Sequence, residues 1–157
     1  MRRTPAALAA LALACAPGTT RPAFRPLPQA LTAELRAAPD RVTTEISGWL
    51  QAEGLRVEWA SPRDGYLETA WFDTETRRPV DPGTEAGSPA RTVKIRCWAD
   101  PGRPGMTQLT VEAVYRPIDD PSRLERDLEL AVPLGQEGHR LAERLITALR
   151  DKFGGPP

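Results

Sequence analysis

The sequence predicts an α+β domain: a four-stranded antiparallel sheet with an N-terminal and a C-terminal helix packed on one face. Three observations carry that expectation. Val42, Ile46, Trp49 and Leu50 have the i, i+4, i+7, i+8 spacing of one helix face. Between about residues 55 and 116 the apolar period drops to two, in runs separated by Pro- and Gly-rich turns. A second helical stripe, Leu141, Leu145 and Leu149, comes last. Strands joined by short turns are antiparallel, and amphipathic helices cover one face of such a sheet.

The first helix follows Pro39, with Asp40 as its expected N-cap. Gly54 fits the left-handed residue that ends it. Gly48 inside it costs roughly 1 kcal/mol against Ala and is expected to let a strand approach closely. Leu55, Val57 and Trp59 then alternate with polar residues as a strand, and Pro62-Arg63-Asp64-Gly65 reads as a turn. Residues 66–72 form the expected return strand and 73–90 a loop. The third strand is 92–99, followed by a turn over 100–105 and a fourth strand over 108–116. Residues 117–138 fit an extended stretch with a short strand, through Leu128, Leu130 and Val132, and also fit a capped helix. The extended reading is preferred because Pro133 and Gly135 follow at once. In the closing helix Ile146, Ala148 and Phe153 widen the stripe.

In this arrangement Val57, Trp59, Val93, Ile95, Leu109 and Val111 face the helices. The other face carries Arg56, Glu58, Lys94, Arg96, Trp98 and Glu112. Mixed charges there predict cross-strand pairing on a solvated face. Its functional reading is a surface for a protein partner, with Lys94, Arg96 and Trp98 as candidate binding residues, because Trp and Arg dominate interface hot spots. Loop 73–90 is placed to join it.

The N-terminus predicts location. Arg2 and Arg3 precede nine consecutive Ala or Leu residues, 6–14, and Cys15 follows at once. Nine residues fall well short of the roughly 20 needed to span a bilayer. A cationic head, a short apolar run and a small residue before the break read as a secretory signal. The expected organisation is a signal peptide over 1–14, a Pro-rich tether over 15–38, the α+β domain over 39–153 and a tail over 154–157. The tether holds Pro17, Pro22, Pro26 and Pro28 and reads as semi-extended. Only Ala30 to Leu35 in it look structured, as one or two helical turns.

Composition excludes several functions. The precursor has 21 basic and 21 acidic residues. Loss of Arg2 and Arg3 leaves 19 against 21, a net charge of −2. Nothing there points to nucleic acid. The chain has two cysteines and one histidine. Cys97, in phase with Val93 and Ile95, is expected as a small buried side chain, the alternatives being a reactive thiol or an intermolecular bridge. His139, beside Glu137 and Arg140, reads as a solvated helix-end residue. No H-E-x-x-H, paired Cys, G-x-S-x-G or phosphate loop occurs. The expectation is a protein without enzymatic activity, metal or cofactor.

Two resemblances extend this reading. Leu-Ala-Leu-Ala-Cys, residues 11–15, resembles the lipobox of bacterial lipoproteins, with Leu13 two places before the cysteine rather than three. That resemblance implies thioether lipidation of Cys15, removal of residues 1–14 and acylation of the new amine. Ala16, in place of an acidic residue, leans toward the periplasmic face of the outer membrane. The run from Asp40 to Leu50, then Glu53-Gly54-Leu55-Arg56-Val57-Glu58, then residues 64–72 resembles the helix-grip domain of BamC/NlpB-like lipoproteins, accessory subunits of outer-membrane protein assembly. It implies a lipid-anchored, non-enzymatic scaffold that docks against envelope proteins. The alternative is a carrier of a lipid or other amphiphile, or a lipopolysaccharide-assembly-type lipoprotein. A carrier predicts a dry pocket of a few hundred Å³ between helices and sheet.

Overall fold

A computed structural model describes residues 21–81 and 91–154. The expected signal peptide 1–14, Cys15, the rest of the tether to residue 20, loop residues 82–90 and tail residues 155–157 lie outside them.

The elements in chain order are β1 (Leu31–Leu35), α1 (Pro39–Ala52), β2 (Val57–Ser61), β3 (Tyr66–Thr69), β4 (Phe72–Asp73), β5 (Thr92–Pro101), β6 (Thr107–Tyr115), β7 (Leu130–Ala131) and α2 (Glu137–Phe153). Single 3-10 turns occupy Pro62–Asp64 and Glu125–Leu128. The sheet order is β1-β6-β5-β3-β2, with β4 added beside β5 and β7 beside β6, and every pairing is antiparallel.

The fold is therefore α+β with two helices on a mostly antiparallel sheet, but the sheet has seven strands rather than four. The most consequential addition is β1, which lies within the expected tether. It runs along the free edge of β6, with Leu31 opposite Val111 and Leu35 opposite Thr107. Ala33 and Leu35 are buried and Leu31 packs against the same core, while Thr32 is exposed. That is the period-two pattern of a half-buried strand, not of a helical turn. The expected strand over 66–72 breaks after Thr69. Ala70 N–H donates to the Arg56 carbonyl, and Ile95 N–H donates to Thr69 Oγ1 at 3.0 Å. Residues 130–131 supply β7, in accord with the extended reading of that region.

Local chemistry explains the helix ends. Pro39 takes the first helical position of α1, where its missing N–H is no loss. The cap residue is Ala38, not Asp40; Asp40 sits in the first turn, where the helix dipole favours a carboxylate. Gly54, at φ +81°, ends the helix as expected. Leu55 N–H reaches the Leu50 carbonyl and Gly54 N–H the Gln51 carbonyl, the paired bonds of a Schellman motif. In α2, Glu137 lies in the first turn and Arg150 and Lys152 in the last, both favourable to the dipole.

The core lies between helices and sheet. Val42, Ile46 and Leu50 of α1 and Leu141, Leu145 and Leu149 of α2 are buried against Leu67, Ile95, Cys97, Leu109 and Val111. Fully burying each such side chain contributes about 1.5–3 kcal/mol.

Gly48 is exposed, and a Cβ there would meet nothing within 4 Å. The close approach belongs instead to Gly138 of α2, where a Cβ would fall 2.8 Å from Val93 Cγ1.

Candidate functional site

Trp59 departs from the expected face. Val57 pairs with Thr69 but Trp59 with Glu68, so β2 advances two residues while β3 advances one. This bulge at Glu58 reverses the phase of the strand. Val57 stays with the core, and Trp59 turns to the opposite face, 46% exposed.

That opposite face is the candidate site, and its centre is not solvated. Trp98 is 1% exposed, Arg96 4%, Lys94 6% and Glu112 2%. The expectation of an open docking surface at Lys94, Arg96 and Trp98 is overturned. Two segments cover them. Residues 21–30, read as tether, lie across the sheet as a strap. The stretch around the Glu125–Leu128 turn closes the rest.

Register built the charge cluster beneath. Glu68 of β3, Arg96 of β5 and Glu112 of β6 stand opposite one another across three strands. Arg96 Nη1 and Nη2 donate to the two carboxylate oxygens of Glu129, each at 2.6 Å. Its Nε donates to Glu68 at 3.0 Å. Arg126 donates to Glu112 at 2.6 and 3.1 Å and to Glu129 at 3.0 Å. Lys94 Nζ lies 3.6 Å from Glu58 and 3.8 Å from Glu68, and over the Trp71 ring. Tyr66 O–H donates to Glu68 at 2.7 Å. Lys94, Arg96 and Arg126 thus face the buried carboxylates of Glu112 and Glu129 and the part-buried one of Glu68, with Glu58 at the exposed margin beside Lys94.

Burial opposes the Glu129 charge, but the bonds and charges of Arg96, then Arg126, outweigh it and hold the carboxyl below its ordinary value. Burial also opposes the charge on Arg96, and Glu129 and Glu68 outweigh it and raise its pKa. Burial, then the bond to Glu68, pushes the Tyr66 phenol up. The buried carboxylates of Glu112 and Glu129 are thus each met by guanidinium groups of this chain.

The strap fits onto this cluster through one aromatic ring. The Phe24 ring packs against two guanidiniums, its centroid 4.6 Å from that of Arg126 and 5.1 Å from that of Arg96. It meets Trp98 edge to face, centroids 6.2 Å apart. Leu27 N–H donates to Glu112 Oε2 at 2.8 Å, and Arg126 Nη2 to the Arg25 carbonyl at 2.6 Å. Arg21 pairs with Asp100. Sequence reading missed the strap because Pro22, Pro26 and Pro28 look like linker; Phe24 and Leu27 were the available signal. Trp98 Nε1 is buried and has no hydrogen-bond partner among the described residues.

The remaining candidates are placed as follows. Cys97 points into the core, 1% exposed and free. Burial, then the Glu112 charge, pushes its thiol up, away from reactivity. His139 is not solvated: it is 8% exposed, with Nε2 3.3 Å from Glu143 Oε1. Beside it, among Leu27, Ala30, Val132 and Ala142, lies a space of only about 10 Å³. A larger groove of about 630 Å³ is open to solvent between α1 and α2, along Trp49, Glu53, Arg144 and Asp151. Among the described residues no group of three His, Cys, Asp or Glu side chains is placed to hold a metal ion, and no helix is long and apolar enough to cross a membrane.

Fold and site together define an α+β domain with an aliphatic sheet face under two helices and an ionic face sealed by its own N-terminal strap. No family model matches this chain, and no curated protein matches it.

Proposed function

We propose that this protein is a bacterial envelope lipoprotein of BamC/NlpB-like helix-grip type. It is anchored through Cys15 at the periplasmic face of the outer membrane and acts without enzymatic activity as a scaffold or accessory subunit in outer-membrane protein assembly. One observation carries the reading: an uncharged Ala/Leu run behind Arg2 and Arg3 that ends at Cys15. Two helices on an antiparallel sheet support the family reading, and the internally paired charges of the other face support a non-enzymatic role. The partner is an envelope protein, and the contact passes from the buried Trp98 to the exposed Trp59.

Expression of the full chain in a bacterial host tests this. Mass spectrometry should find a mature N-terminus at a lipidated Cys15, and Cys15→Ser should leave the precursor uncut. A Cys15→Ser product still trimmed after Ala14 and fractionating with the envelope as before would overturn the anchor. A photocrosslinker at position 59 should trap one discrete envelope protein; no adduct above background would overturn the scaffold.

A further inference from the structure

The course of the strap fixes where the chain leaves the domain. Arg21 meets Asp100, next to last in β5. Phe24 and Leu27 then lie over Trp98, Arg96 and Glu112 toward the middle of the sheet. A turn over residues 27–30 reverses the chain, and β1 returns along β6 to Thr107. Arg21 therefore lies at the sheet end where residues 102–106 join β5 to β6. The Pro62–Asp64 turn is at that end, because Ala99 N–H donates to the Gly65 carbonyl. So is the end of α2, where Arg36 N–H donates to the Gly154 carbonyl.

Chain length converts this course into a distance. From Cys15 to Leu31 there are sixteen Cα steps, a maximum reach of about 58 Å at 3.6 Å each. With the strap seated only the six steps from Cys15 to Arg21 remain, at most about 22 Å. We infer that the strap is a membrane mount: it holds the lipid-bearing terminus within about 22 Å of Arg21, so that the β5–β6 turn, the exposed Arg63 and the exposed Arg103, which pairs with Glu34, face the bilayer headgroups. This rests on the reading of Cys15 as the lipid anchor. It assigns the ionic cluster a task, which is to hold Phe24 and with it the orientation of the domain. The far end, with Leu134 83% exposed before α2, points away from the bilayer.

The lipidated full chain in phosphatidylcholine–phosphatidylglycerol vesicles with a headgroup energy acceptor tests the mount. Donors are attached at Pro104→Cys or Leu134→Cys; Cys97 is buried and does not compete. Transfer at 104 should exceed that at 134 by about twofold or more, as the short reach requires. Arg21→Ala with Phe24→Ala, checked for folding by circular dichroism, should erase the difference. Insertion of about ten Gly/Ser residues between 20 and 21 should do the same with the strap still seated. Equal transfer at 104 and 134 in a chain whose mass shows the lipid overturns the mount alone. Persistence of the difference in both altered chains also overturns it. A chain without lipid overturns the anchor and the mount together.

Discussion

Arg96 on β5 and Glu129 just before β7 meet fork to fork, both bonds 2.6 Å, under a strap that excludes water. Glu129 is 4% exposed and Arg96 likewise 4%. At this depth the pair's net worth over an apolar substitute is small, but the penalty for deleting one partner is large.

Glu129→Ala should therefore destabilise the domain by about 3–5 kcal/mol, because Arg96 is left buried with a deficit of negative charge. Arg96→Met combined with Glu129→Leu should recover a large part of that loss. Urea unfolding of the two single variants and the double variant measures this. A Glu129→Ala cost under about 1 kcal/mol would contradict the burial of the pair.

Acid should act through the same carboxyl. Its folded pKa is depressed below the ordinary glutamate value of 4.5. The unfolded state then takes up the proton first, so the stabilisation is complete above about pH 4.5 and is lost as pH falls through the folded value. Glu129→Gln should flatten the stability profile below that pH, at the cost of a lower plateau at neutrality. Parallel profiles for the two proteins would remove Glu129 from the acid response.

The two helical glycines should respond with opposite sign. Gly48→Ala meets open space and should stabilise by about 0.5–1 kcal/mol. Gly138→Ala drives a methyl against Val93, 2.8 Å from Cγ1, and should cost about 1–3 kcal/mol. Thermal denaturation distinguishes them; a stabilising Gly138→Ala would mean that Val93 moves freely.

Cys97 should react with a thiol reagent only as fast as the domain opens. Its side chain is sealed in the core and its pKa is raised by burial. Labelling kinetics in rising urea should follow the unfolding rate. Prompt labelling in native buffer would refute the burial.

Much of the fold was legible in the sequence. The stripes at 42, 46, 50 and at 141, 145, 149 gave both helices, and alternation gave β2, β3, β5 and β6 together with the inward Cys97. The losses have local causes. Leu31, Ala33 and Leu35 alternate as a strand, but among prolines five residues make a faint signal. A single extra residue at Glu58 turned Trp59 over, and a bulge leaves no mark in an alternating pattern. The ionic face was harder still. Periodicity tells which side a residue is on, not whether that side is wet. The clue lay in register, since Glu68, Arg96 and Glu112 alternate in sign across three adjacent strands.

A sheet with oil on one side and salt on the other has two layers that yield to different solvents. Acid weakens the charged layer by protonating its carboxylates, while the aliphatic layer keeps most of its cohesion. Under those conditions the N-terminal segment peels away from a helix-covered sheet that stays folded, baring Trp98 before anything else gives way. An acid titration would then redden the tryptophan emission before the far-UV circular dichroism changes.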